Sequence, residues 1–183
     1  MSLQSFAVQS ATDRRLRDAL GRFATGVTVV TARSPGGRRE GVTVNSFSAV
    51  SLDPPLVLWS LRRNAPSLPG FLASGHFAVN ILAADQADAA RHFAQPRNDK
   101  FEGIAHRPGL GGCVLIEGAL ATFECTADRN MDGGDHVIFL GRIERATYRD
   151  GSPLVFNAGR YCAISPLMED ECGRRRLEGQ RIS

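Results

Sequence analysis

The stretch from Gly41 to Leu61, GVTVNSFSAVSLDPPLVLWSL, decides the fold. Val42, Thr43 and Val44 are β-branched and favour an extended strand. Asn45, Ser46, Phe47 and Ser48 then break the apolar run with short hydrogen-bonding groups around one aromatic ring. Leu52, Leu56, Val57 and Leu58 restore apolar bulk, and Pro54-Pro55, lacking N–H donors, stop pairing between the two runs. The pattern is strand, polar turn, proline stop, strand. Two readings fit the polar residues. One is a plain turn between core strands. The other is a rim for a planar, partly apolar ligand with an anionic tail, because hydroxyls and backbone N–H groups can meet phosphate oxygens without bulk.

The flanking chain supports a β-rich domain. Thr12 or Asp13 can cap a helix running to about Ala24, with Leu16, Leu20 and Phe23 on one face. After Gly26, the run Val27 to Ala32 is a β-branched strand, and the turn Ser34-Pro35-Gly36-Gly37 joins it to the strand opened by Gly41. Beyond Leu61, Pro66 suits a first helical turn and Ser67 to Ala73 a short helix. His76 to Leu82 reads as a strand, Ala83 to Ala94 as a helix, and Gln95 to Gly112 as a long polar loop of the kind that is functional or mobile. Residues 113–130 are strand-like and broken by Gly118. A turn at Met131 to Gly134 leads into a strand from Asp135 to Tyr148, and LVF and RYCAI add short strands. Six or seven strands, few helices and no βαβ rhythm predict a mainly β (α+β) domain, an antiparallel barrel with peripheral helices. Residues 1–12 are expected to form a flexible arm, 13–165 the domain, and 166–183 a charged C-terminal tail.

Composition narrows the function. At 183 residues the chain is long enough for one domain with a real core, and its net charge of +3 is too slight to argue for nucleic acid. No apolar run approaches the ~18 residues of a membrane span, and the N-terminus lacks a signal-peptide pattern. Cys113, Cys125, Cys162 and Cys172 contain no CxxC pair, which points to reduced thiols and a cytoplasmic protein. His76, His92 and His106 lack metal-ligand spacing, so no metal is expected. No GxGxxG, GxxxxGK[ST] or GxSxG motif occurs, which disfavours Rossmann, P-loop and serine-hydrolase chemistry. Two local features remain open. His136, after Gly133-Gly134-Asp135, is either an idle turn histidine or a donor aimed into a cleft. Lys100 and Phe101 either meet a phosphate and a ring or belong to a solvated loop with one core-facing Phe.

Several stretches become specific when taken in order. They are Phe23-Ala24-Thr25-Gly26-Val27-Thr28-Val29-Val30-Thr31, Thr43 to Phe47, Ser51 to Leu58, Phe77 to Leu82, Asp99-Lys100-Phe101, Gly134-Asp135-His136 and Gly159-Arg160-Tyr161. The ordered set, over roughly residues 13–165, closely resembles the flavin reductase-like family, the reductase components of two-component flavin monooxygenases. The resemblance implies a split β-barrel homodimer of the FMN-binding type. It implies FMN or FAD near the dimer interface, NADH or NADPH as hydride donor, and a flavin-dependent monooxygenase as recipient of the reduced flavin. Carried over, Thr43, Val44, Asn45, Ser46 and Phe47 would line the flavin, with Ala49 and Val50 just beyond. Asn64, Ala65, Pro66 and Ser67 would contact its phosphate or adenylate end, Lys100 and Phe101 would reach it from the loop, and His136 and Tyr161 would meet the nicotinamide nucleotide. Val44 stands where the family commonly has Ala. No catalytic side chain is implied, since the cofactors carry the hydride chemistry. The same barrel could instead reduce a corrinoid or ferric complex with a tightly held flavin, or act as an electron carrier without enzymatic turnover. The pyridoxamine-phosphate-oxidase-like barrel is related in shape, but Asn45-Ser46-Phe47 and Gly134-Asp135-His136 favour the reductase branch.

Overall fold

The computed structural model describes residues 5–8, 14–97 and 99–165. The C-terminal tail expected over 166–183 and most of the N-terminal arm lie outside the described residues. In chain order the elements are α1 (Arg14–Leu20), β1 (Thr25–Gly26), β2 (Thr28–Arg33), β3 (Arg39–Val44), β4 (Ser48–Leu52), β5 (Pro55–Arg62), α2 (Leu68–Ala73) and β6 (His76–Ile81). They continue with α3 (Ala87–Ala94), β7 (His106–Pro108), β8 (Val114–Ile116), β9 (Ala121–Gly133), β10 (His136–Tyr148), β11 (Val155–Asn157) and β12 (Arg160–Cys162). Seven strands form one antiparallel sheet in the order β3-β2-β6-β9-β10-β5-β4.

The decisive stretch explains why that sheet rolls up. β3 and β4 occupy its opposite edges, yet only Asn45, Ser46 and Phe47 connect them. Three residues reach roughly 10–14 Å, so the sheet has to curl until its edges approach. Ser46 stitches the seam: its hydroxyl donates to the carbonyl of Ser60 at 3.2 Å and accepts from the Ser60 N–H at 2.9 Å. The result is a split antiparallel barrel, the mainly β architecture that the strand count predicts.

Inside the roll, Trp59 stacks on Phe139 at 4.4 Å and meets Phe71 and Phe77 edge-on. A second cluster, with Val29, Leu82, Phe93, Phe101 and Val114, lies on the outer face of β2. Because β2 contributes Val30 and Ala32 to the first cluster and Val29 to the second, it is buried on both sides. That is why its sequence is a β-branched run without alternation. Asn80, fully buried, holds β8 against the sheet by donating to the Val29 carbonyl at 3.0 Å and accepting from the Ile116 N–H at 2.8 Å.

The edge of β3 is covered by α3 and the loop that follows it. Gly41 makes this possible, since a Cβ there would sit 2.7 Å from the Phe93 ring and 3.1 Å from that of Phe101. The Lys100 ammonium donates to the exposed-edge carbonyl of Gly41 at 2.9 Å and to Phe93 O at 3.0 Å, and Thr43 Oγ1 donates to Ala90 O at 2.7 Å. A sheet edge is thereby closed with side-chain donors in place of a further strand.

Four local expectations are corrected. The first helix ends at Leu20, not near Ala24, and Leu20 and Phe23 stay exposed; Gly21 and Arg22 already turn the chain. The second helix starts at Leu68 behind Ser67, with Pro69 rather than Pro66 in its first turn. β9 runs through to Gly133, so the turn is the tighter Gly134-Asp135, with Gly134 at φ +71°. The polar segment 95–112 is not structureless: it carries β7 and a short 3-10 turn at Leu110–Gly112.

Candidate functional site

Along β3, three clefts share walls and form one trough. The central cleft, about 420 Å³, is lined by Val42, Thr43, Val44, Asn45 and Ser46 with Ser60, Leu61, Arg62, Ala65, Ala94 and His136. Toward the start of β3 it opens into a cleft of about 260 Å³ bounded by Arg38, Arg39, Glu40, Pro66, Ser67, Pro96, Arg97 and Lys100, and shares Val42, Ala65 and Ala94 with it. On the other side, Thr43, Val44, Asn45 and Ala94 also border a third cleft, of about 170 Å³, beneath Phe156 and Tyr161.

The chemistry changes along the trough. At its centre the β3 wall is small and neutral, because the Thr43 hydroxyl donates to Ala90 O and the Ser46 hydroxyl to Ser60 O. What remains on that wall is aliphatic surface plus the Asn45 amide, which makes no side-chain hydrogen bond among the described residues; Arg62 and His136 also line the cleft. Among the described residues, no protein acceptor takes the backbone N–H of Asn45, Ser46 or Phe47. Unpaired backbone donors beside an apolar wall suit a ring whose edge accepts hydrogen bonds. The 260 Å³ end is cationic, with Arg38, Arg39, Arg97 and Lys100 against one carboxylate, Glu40. Burial pushes the Glu40 carboxyl up, while Arg38 and Lys100 pull it back; burial pulls the Lys100 ammonium down. Ser67, buried at the start of α2, adds a hydroxyl without a partner among the described residues. An anionic group fits that end.

His136 stands at the opposite side of the central cleft. Its Nδ1 lies 2.8 Å from Asp135 Oδ1, and this bond holds the Asp135 carboxyl below its ordinary value. An ionised Asp135 can only accept, so Nδ1 carries the hydrogen and the neutral ring keeps Nε2 as an acceptor. A donor at this position, as expected from the sequence, therefore requires the protonated ring. Arg62 lines the same cleft, opposite His136 in register. Arg63 does not, since its guanidinium is bound to Gly134 O and Asp132 across the β9–β10 turn.

The expected site residues therefore divide. Thr43, Val44, Asn45, Ser46, Ala65, Pro66, Ser67, Lys100 and His136 are gathered along the trough. Tyr161 lines the third cleft, on the far side of Thr43 to Asn45 from His136, with its ring against Phe156 at 5.7 Å. Asn64, Ala49 and Val50 are exposed just outside the three clefts. Two aromatic rings are used internally: Phe47 stacks on Phe123 at 5.8 Å, and Phe101, 2% exposed, packs against Phe93 at 5.3 Å. Lys100 has two of its three donors on backbone carbonyls. Sequence reasoning missed Ala94, which borders all three clefts, and the cations Arg38, Arg39 and Arg97. A helix-ending alanine carries no sequence signal of its own. The arginines read as solvated faces until the barrel brings them to one end.

A rolled antiparallel sheet with a trough along its edge strand β3, apolar on the strand wall and cationic at one end, defines a small split-barrel protein whose cleft suits a planar ring with an anionic tail. The chain matches the flavin reductase like domain over residues 20–165, and it belongs to that family. It is 46% identical over 153 residues to "FMN reductase (NADH) SmoA" of Agrobacterium fabrum, covering 83% of this chain and 86% of that one. It is 41% identical to the reductase component of the flavin-dependent trigonelline monooxygenase of Acinetobacter baylyi, covering 81% of this chain but 48% of that longer protein. Among solved structures, the NADH:FAD oxidoreductase SgcE6 of Streptomyces globisporus, in complex with NAD and FAD fragments, superimposes with a TM-score of 0.82 at 40% identity, covering 90% of this chain and all of that one.

Proposed function

We propose that this chain is an NADH- or NADPH-dependent flavin reductase that binds FMN or FAD in the β3 trough and passes reduced flavin to a flavin-dependent monooxygenase. The observation that carries the reading is the graded trough: unpaired N–H groups of Asn45 to Phe47 beside aliphatic surface, with a cationic end at Ser67 and Arg97. Relatives named as FMN reductase and as a monooxygenase reductase component support it. A bound flavin supplies the chemistry by accepting two electrons and a hydrogen as hydride from the dihydronicotinamide, with a second proton taken from water. The protein positions and shields. Val42, Val44 and Ala65 offer the apolar face for a ring, and Asn45 and the free N–H groups hold its polar edge. Ser67 and Arg97 take the phosphate. His136, oriented by Asp135, accepts from the nicotinamide carboxamide through Nε2. No general base is required, so the His136–Asp135 pair serves to position the nicotinamide.

A homodimer belongs to this proposal. Val50 and Leu52, 48% and 93% exposed, stand on the unpaired edge strand β4 beside the trough. A second copy laid there would cover them. Among the described residues no helix is long and apolar enough to cross a membrane, and a cytoplasmic location is proposed with the rest.

Steady-state oxidation of NADH and NADPH with added FMN, FAD and riboflavin tests the reading. The expected result is NADH turnover that depends on added flavin. Absence of turnover with every flavin would refute it in favour of an electron carrier. A yellow colour that survives desalting would point instead to a tightly held flavin serving another acceptor.

A further inference from the structure

A further cleft, of about 570 Å³, is not part of the trough as described so far. It lies at the start of β3, where Arg33, Gly37, Arg38, Arg39, His106 and Val114 contribute to its lining. Arg38 and Arg39 also border the cationic end of the trough. Those two side chains are thus a ridge with a cleft on each side, and the trough continues over it.

We infer that this cleft receives the second phosphate and adenosine of FAD, so that the chain distinguishes FAD from FMN at Arg33. The inference rests on the flavin lying in the trough. Arg39 is immobilised: its guanidinium pairs with Asp99 at 3.2 Å, meets His106 Nε2 at 3.1 Å and lies over the Phe101 ring at 4.9 Å. Arg38 commits its Nε to Glu40 at 3.1 Å. Arg33 is held differently. Its Nε donates to Gly37 O at 3.3 Å, and among the described residues no carboxylate pairs with it. Arg33 therefore keeps the two outer nitrogens of its fork for an oxyanion, the geometry in which arginine binds phosphate. Gly112 leaves room for this placement, since a Cβ there would come within 2.8 Å of Arg33 Cδ. Val114, Pro108 and the buried Cys113 give the same cleft an apolar side against which a purine could lie.

Reach decides between the two flavins. From Asn45 back to Arg39 the strand runs about 20 Å at the usual rise per residue. FMN ends at one phosphate, which the cationic end of the trough accommodates. FAD alone carries a further phosphate and a nucleoside across the ridge. NADH also contains an adenosine diphosphate, but its nicotinamide is placed at His136, on the far side of the flavin from this cleft.

The test is flavin titration of the whole chain by fluorescence quenching. Arg33→Ala is expected to raise the Kd for FAD about 10-fold, and to move that for FMN less than about 2-fold. Arg33→Glu should weaken FAD further, and Arg33→Lys should recover part of the loss. With the wild-type chain, free AMP, which matches the second phosphate and adenosine of FAD, should compete with FAD and leave FMN binding unaffected. Equal changes for both flavins, or no change for FAD, would overturn the inference. So would a raised NADH KM for Arg33→Ala in assays with FMN, because the cleft would then serve the nicotinamide dinucleotide. Failure of the wild-type chain to bind either flavin would overturn the trough reading, and this inference with it.

Discussion

Asn45 to Phe47 and Asp99 to Phe101 are both short stretches marked by a polar group next to a phenylalanine, and the fold uses them in opposite ways. In the first, the backbone donors stay unpaired among the described residues and the Asn45 amide is exposed at the trough. In the second, the Asp99 carboxylate accepts from the Phe101 N–H and from Arg39, Lys100 is bound to two carbonyls, and the Phe101 ring is buried. The first stretch is free to meet a ligand. The second is a buttress that fixes α3 and its loop against β3 and so sets the width of the trough. A recognisable motif can therefore belong to a site by building its wall.

The largest effect separating the two regions is expected at Phe101. Phe101→Ala should lower stability by about 3–5 kcal/mol, the usual cost of emptying a buried aromatic site. Asn45→Ala should leave stability within about 0.5 kcal/mol while weakening flavin binding. Urea unfolding beside flavin titration reads both, and a stable Phe101→Ala protein that cannot bind flavin would invert the comparison. Next is Lys100→Met, which strands the Gly41 and Phe93 carbonyls and should cost about 1–3 kcal/mol. If it instead weakened flavin binding at unchanged stability, Lys100 would belong with Asn45.

A smaller effect belongs to the trough itself. His136→Ala should raise the NADH KM about 3- to 10-fold, as expected for one lost hydrogen bond with its orientation, and should change flavin affinity less. An equal loss of flavin affinity would move His136 into the flavin wall. The smallest concerns Glu40, which lies between the two regions. Burial raises its carboxyl above the ordinary value of 4.5. Between that value and the native one, the folded chain retains a proton that the unfolded chain has released, so stability falls as pH rises through the window. Glu40→Gln should remove this slope in urea midpoints measured upward from about pH 4. An unchanged slope would assign it to another group.

Much of the molecule was legible one residue at a time. The β-branched runs at Val27 to Ala32 and Val42 to Val44, the glycine turns and the proline stop set strand positions, because backbone preference and side-chain period act locally. The ordered motifs likewise identified the family. Tertiary structure alone decided what each polar group was left to do. Whether Lys100 faces a phosphate or a carbonyl depends on Gly41 allowing Phe93 and Phe101 to approach. Whether Arg38, Arg39 and Arg97 are scattered charges or one cationic end depends on how the sheet curls. The partner that takes up a hydrogen-bonding group lies as many as 83 residues away along the chain. Local sequence fixes which groups exist, and only the closed barrel determines which remain unpaired.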